Sequence, residues 1–175
     1  QQVSSAASDV YKRQIQFLQD FGGTRGNIDD SDATGVNLRD SKWHHVAMVR
    51  QSDFSWQLYV DGKVNYSGTN MTGNVTSINE VAIGRRTDTN DYYLNVFISN
   101  MRVLNRAIYT ENFKPSMREL EVIPGTVLLA CQSKTDASLE KTGKVIEVQG
   151  NAAASELTPG TVSYTHLRAH ETHEN

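Results

Sequence analysis

Hydrophobic and polar positions along the middle of the chain recur at the period of a strand. Trp56, Leu58 and Val60 alternate with Gln57 and Tyr59, the pattern of a strand with one buried face. Asp61-Gly62 follows, and a type I′ turn, which needs positive φ at both central residues, favours that dipeptide. Lys63, Val64, Asn65 and Tyr66 return as the partner, so a hairpin is predicted over 56–66. Upstream, residues 43–50 are aromatic and apolar at strand length. Downstream, residues 81–83 form an apolar run stopped by Gly84, and residues 93–105 make the longest strand candidate. There Phe97, Met101 and Val103 share one face and Asn100 and Arg102 the other, as where a sheet meets solvent. Residues 126–131 and 144–148 complete the set, with Gly125, Gly143 and Gly150 as punctuation. Residues 107–113, ahead of Pro115, offer one helical turn. Residues 67–76, rich in Gly, Asn and Thr, read as a loop. Many short strands with turn residues between them predict an all-β fold, an antiparallel two-sheet sandwich or jelly roll.

Composition narrows the class of partner. The 175 residues carry 17 Lys plus Arg against 20 Asp plus Glu, a net charge of -3, with 38% hydrophobic and 21% charged residues. That length and balance fit one globular domain. A chain that tracks phosphates usually carries a basic excess, so no nucleic-acid partner is expected. No apolar run approaches the roughly 18 residues of a spanning helix, so no membrane insertion is expected. Cys131 is the single cysteine, which excludes an internal disulfide and a cysteine-based zinc site.

The two ends read differently from the middle. The chain opens at Gln1 without Met, which reads as a fragment or a processed product. Asp9, Val10, Tyr11, Lys12, Arg13 and Gln14 at one end resemble translated sequencing-adapter segments of the kind found in reading frames assembled from environmental DNA. Residues 163–172 at the other end resemble them too. Residues 1–14 and 163–175 are therefore set aside as artefactual or disordered ends, leaving residues 15–162 as the domain. His166, His170 and His173 have spacing that would align three imidazoles on a helix face, but they fall in the discarded tail and are read as non-functional. Each end-trimmed charge type loses three residues, so the balance does not move.

Within the domain, Trp43, His44, His45, Val46 and Ala47, followed by Leu58, Tyr59, Val60, Asp61 and Gly62, resemble the W-x-H-V-A and L-Y-V-D-G segments of concanavalin A-like and laminin G-like jelly rolls. Ile83-Gly84 is similar to the family's next "IG", and residues 97–103 resemble its F-x-G-x-I-x-N-V-R-V strand, with Val96 where many members carry glycine. Residues 107–115 and 125–133 are similar to the Y-T-x-N-F-x-P and G-T-x-L-L-x-C-Q-S segments of a subgroup found in marine tailed-phage virion proteins. The resemblance implies a non-enzymatic binding or adhesion module of a larger virion structural protein, such as a tail fibre. Its implied partners are a glycan or protein on a host surface and other virion protein domains, and its implied location is the virion. The alternatives are a purely structural or oligomerising module without a ligand and, behind it, a glycoside hydrolase.

Candidate chemistry separates these readings. A retaining glycosidase needs two carboxylates roughly 5–5.5 Å apart. Glu119 and Glu121 have the sequence spacing but lie between Pro115 and Pro124 in what reads as a connector. His44 and His45 have no G-x-S-x-G partner, and the histidines beside Trp43 read as packed residues of the strand core. Cys131, in an apolar strand, reads as buried and inert. Gly22, Gly23, Thr24, Arg25 and Gly26 lack the G-K-[ST] end of a phosphate loop. No catalytic residue is assigned. Calcium takes hard oxygen ligands from loops, and two acidic clusters offer them: residues 29–32, and Asp88, Asn90 and Asp91. Tyr92 and Tyr93 follow the second cluster directly. Aromatic rings stack on the apolar faces of sugars while polar groups take the hydroxyls, so Asp88, Asn90, Asp91, Tyr92 and Tyr93 form the candidate ligand site, with the first three as candidate calcium ligands. Arg85-Arg86 and the sequons at Asn65, Asn70 and Asn74 read as solvated turn and loop features.

Overall fold

The computed structural model describes residues 17–21, 24–28, 38, 41–69, 81–85 and 94–159. Among them are seven strands and no helix: β1 (Phe17–Phe21), β2 (Thr24–Ile28), β3 (Val46–Arg50), β4 (Trp56–Val60), β5 (Lys63–Gly68), β6 (Met101–Leu104) and β7 (Thr126–Ala130). Every pairing is antiparallel, in ladders β1-β2, β3-β4-β5 and β6-β7. The all-β antiparallel class expected from the sequence is the class observed. No helix of the described residues is long and apolar enough to cross a membrane.

The β4–β5 hairpin forms where local chemistry demands it. Asp61 and Gly62 take φ of 50° and 76°, the double left-handed turn that matches the twist of the flanking strands. β5 runs on to Gly68, beyond Tyr66, and Asn65 is the extra residue of a bulge where the register shifts between Leu58 and Tyr59. Trp56 stacks on Tyr66 with ring centroids 5.1 Å apart, and a Cβ on Gly68 would sit 2.4 Å from that indole. Glycine there makes room for the ring.

Both faces of β4 are covered, in contrast to the single buried face that its alternation predicts. Met48 and Leu58, directly paired, form one cluster with Val46, Trp56 and Tyr66. Ala47, Val49 and Tyr59 form the opposite one with Ala107, Tyr109 and Phe113. Tyr59 is 0% exposed. Ala107, Tyr109 and Phe113 cover the face that bears Tyr59, and a tyrosine is largely apolar: its ring is buried while its hydroxyl donates to Gln57 Oε1 at 2.5 Å. Burial of a leucine- or methionine-sized side chain stabilises by roughly 1.5–3 kcal/mol, so these two clusters hold the sheet.

The second half of the chain is less regular than its pattern predicts. The strand expected over 93–105 is regular only from Met101 to Leu104; Asn100 has φ of 56°, which breaks the extended backbone, and Phe97 is 60% exposed. The strand expected over 126–131 stops at Ala130 because Cys131 also turns left-handed, with φ of 60°. Residues 144–148 form no strand, and Val145 is 97% exposed. Nor do residues 81–83, before Gly84 at φ 85°. Thr24, Arg25 and Gly26 belong to β2, a strand rather than a phosphate loop leading to a helix.

Side chains fasten the β6-β7 ladder to its connectors. Asn100 Oδ1 accepts from Leu120 N and from Gln132 Nε2, and Gln132 Nε2 also reaches Leu120 O. Beyond β7, the Glu140 carboxylate accepts from the backbone N–H groups of Leu129, Thr142 and Lys144 and from the Thr142 hydroxyl. One carboxylate thus satisfies amide groups that an extra strand would otherwise have to meet.

Candidate functional site

The segment expected to make one helical turn is a bent, non-helical strap. In a helix, Phe113 N would donate to Tyr109 O. Here Phe113 N donates to Gly62 O at 2.8 Å, and Tyr109 O accepts from Gln51 Nε2 at 3.2 Å. Both ends of the would-be helical bond have tertiary partners, and Asn112 Oδ1 adds a third tie by accepting from Val64 N at 2.9 Å. The spacing of four still places the two rings together, stacked with centroids 3.6 Å apart and planes 5° from parallel. They lie against Tyr59, 6.2 and 5.4 Å away.

The Trp43-to-Gly62 motif supplies the other half of this arrangement. Asp61 Oδ2 accepts from His44 Nδ1 at 2.8 Å, Asp61 Oδ1 accepts from His45 N at 2.9 Å, and Asp61 N donates to His45 O at 2.8 Å. Partial burial alone would raise the Asp61 carboxyl, but the bonds from His44 and from His45 N outweigh it and hold it below the ordinary value. Ionised Asp61 can only accept, so His44 carries its proton on Nδ1 and donates it in this hydrogen bond. The His45 ring is edge-on to Phe113 at 5.3 Å and to Tyr109 at 6.2 Å. Its Nδ1 is buried and has no hydrogen-bond partner. Burial pushes its pKa below 6.5, with Asp61 opposing and Arg102 reinforcing the shift. Both histidines precede the first residue of β3; they clamp a turn.

The candidate ligand residues Asp88, Asn90, Asp91, Tyr92 and Tyr93 lie outside the described residues, as do the acidic residues 29–32 and the histidines of the tail. The residues bounding the 85–93 stretch are joined at its base, where Leu94 N donates to Gly84 O at 2.8 Å. Among the described residues, no group of three or more His, Cys, Asp or Glu is placed to hold a metal. Glu119 and Glu121 sit in an irregular connector, Glu119 ion-paired to Lys141 and Glu121 offering its backbone carbonyl to Arg102 Nη1. Cys131 is half-buried, and burial raises its thiol above the ordinary value, so little of it is the nucleophilic thiolate.

An antiparallel β-fold in which a W-x-H-V-A segment and a D-G turn clamp each other defines a class of jelly-roll module. The laminin G-type family model described as the concanavalin A-like lectin/glucanases superfamily matches residues 6–112, more than half of the chain, and the chain belongs to that superfamily. No curated protein and no solved structure matches the chain. Domains of this superfamily commonly bind carbohydrates or proteins, and the superfamily also includes glycosidases.

Proposed function

We propose that this chain is a non-enzymatic binding module of a larger phage virion structural protein, adhering to a glycan or a protein on a host surface. The superfamily match over residues 6–112 carries the reading. The structure of the motif supports it: His44 and Asp61, the polar pair with the look of a catalytic dyad, hold each other and the hairpin turn. Binding is assigned to the 85–93 stretch, whose base is fastened by the Leu94–Gly84 bond. There Asp88, Asn90 and Asp91 offer oxygen ligands suited to calcium, and Tyr92 and Tyr93 offer rings for a sugar face. The virion setting rests on the likeness of residues 107–115 and 125–133 to marine tailed-phage virion proteins. Incubation with a panel of host-surface polysaccharides tests the proposal: the chain is expected to be retained on some of them without releasing reducing sugar, and release of reducing sugar would overturn it.

A second reading is a structural module that assembles with copies of itself or with other virion domains. Consecutive exposed apolar residues favour it, since Val96, Phe97 and Ile98 are 57%, 60% and 40% exposed, and exposed apolar clusters often mark contact surfaces. A stable oligomer by light scattering, together with no retention on any polysaccharide, is the result that selects it.

A further inference from the structure

We propose that His45 makes the 107–113 strap an acid-released latch, its protonation unseating Tyr109 and Phe113 from the β3-β4-β5 sheet while the β4–β5 hairpin stays formed. The geometry is that of a neutral imidazole. The ring meets the stacked pair of Phe113 and Tyr109 edge-on, and its buried Nδ1 has no partner in the protein. A proton added there creates a buried N–H without an acceptor and a charge in an apolar cluster, both of which cost free energy.

The charged and titratable neighbours sort into opposing groups. Asp61, on the turn, favours the imidazolium; Arg102, on β6, opposes it. On β4, burial and the nearby Glu111 raise the Tyr59 phenol above its ordinary value of 10.0, so it stays neutral. The Asp61 carboxylate already accepts from His44 Nδ1 and from His45 N. His44 Nδ1 meets the Asp61 carboxylate at 2.8 Å, at the turn rather than in the aromatic cluster. Acid therefore acts on the strap through His45.

The sign follows from linkage. Burial holds the His45 pKa below its ordinary value of 6.5 in the folded protein. The stabilisation by the docked strap is thus complete above pH 6.5 and declines as pH falls from there through the folded-state value. The strap's ties are few: Phe113 N to Gly62 O, Asn112 Oδ1 from Val64 N, and Tyr109 O from Gln51 Nε2. Segments held by few bonds open locally at a free energy below that of global unfolding.

Amide exchange in the full chain, corrected for the intrinsic rate at each pH, tests the latch at pH 7.5 and pH 5.0. Protection of the Phe113 amide is expected to fall by roughly threefold or more on acidification, while the β4 amides of Leu58 and Val60 keep theirs. In His45→Phe, an apolar ring in the same cluster, the Phe113 amide is expected to lose that pH dependence, and in His44→Gln it is expected to keep it. Should His45→Phe fail to fold, NMR titration of the wild-type His45 ring decides, because its midpoint must coincide with the loss of Phe113 protection. Unchanged Phe113 protection at pH 5.0 in the wild type, an equal fall in His45→Phe, or a ring titration that does not track the strap would each overturn the proposal.

Discussion

Two glycines with nearly the same backbone conformation carry different burdens. Gly62 has φ of 76° and Gly84 φ of 85°, a region where any side chain is strained by about 1 kcal/mol or more. At Gly84 a Cβ meets no described residue within 4 Å; at Gly62 it falls 1.9 Å from the Phe113 carbonyl oxygen and 2.9 Å from Pro115 Cδ. Gly84→Ala is therefore expected to cost only the conformational strain, about 1 kcal/mol. Gly62→Ala is expected to cost about 3 kcal/mol or more, since the strap must also move. Urea unfolding of the two variants measures the difference, and equal losses would mean that the strap does not press on the turn. The sequence marks Gly62 as a turn residue from its pairing with Asp61. The approach of Phe113, fifty-one positions on, leaves no local sign.

At the scale of elements, what was legible from sequence was whatever local chemistry decides. The 56–66 hairpin is observed because its turn dipeptide and its alternation specify the same structure, and β3 and β7 lie within the stretches read as strands. The strap was misread because Tyr109 and Phe113 have helical spacing, whereas Gln51, Gly62 and Val64, the groups that bind its backbone and Asn112, are distant in sequence. Strands expected over 144–148 and through Asn100 fail for a related reason. A carboxylate from Glu140 and left-handed residues at Asn100 and Cys131 end the ladder where hydrophobicity alone would continue it. Glu140 gives this element a pH signature. Partial burial would raise its carboxyl, but hydrogen bonds from the Leu129, Thr142 and Lys144 amides and the Thr142 hydroxyl outweigh it and hold the pKa at about 2, against 4.5 ordinarily. The stabilisation is present above pH 4.5 and is lost as pH falls toward 2. Thermal unfolding of the wild type is expected to fall more steeply across that window than that of Glu140→Gln, which keeps an acceptor oxygen but no titrating charge. Parallel curves for the two proteins would assign the acid loss to other groups.

For the whole molecule, membership of the concanavalin A-like lectin/glucanases superfamily and the all-β antiparallel fold place the chain among modules that present loops from a rigid frame. Function in such folds resides in the site rather than the frame. The frame here is built by residues that first draw attention in the sequence: His44 to Ala47 hold Tyr59 to Gly62, and His45, Ala47, Tyr59 and Gly62 hold the strap. The residues proposed for recognition are the oxygen-rich and aromatic ones between Gly84 and Leu94, whose chemistry is legible in the sequence and which lie outside the described residues. Calcium and sugar make separable demands on them, Asp88, Asn90 and Asp91 for the ion and Tyr92 and Tyr93 for the ring face. The most direct measurement is a glycan array probed with the full chain, with and without calcium, beside the Tyr92→Ala/Tyr93→Ala variant. The expected result is binding to a subset of glycans that weakens by about fivefold or more in the variant, as loss of two stacking contacts of roughly 0.5–1.5 kcal/mol each implies, with thermal unfolding unchanged. A flat array in both conditions, or equal binding by the variant, would contradict the account.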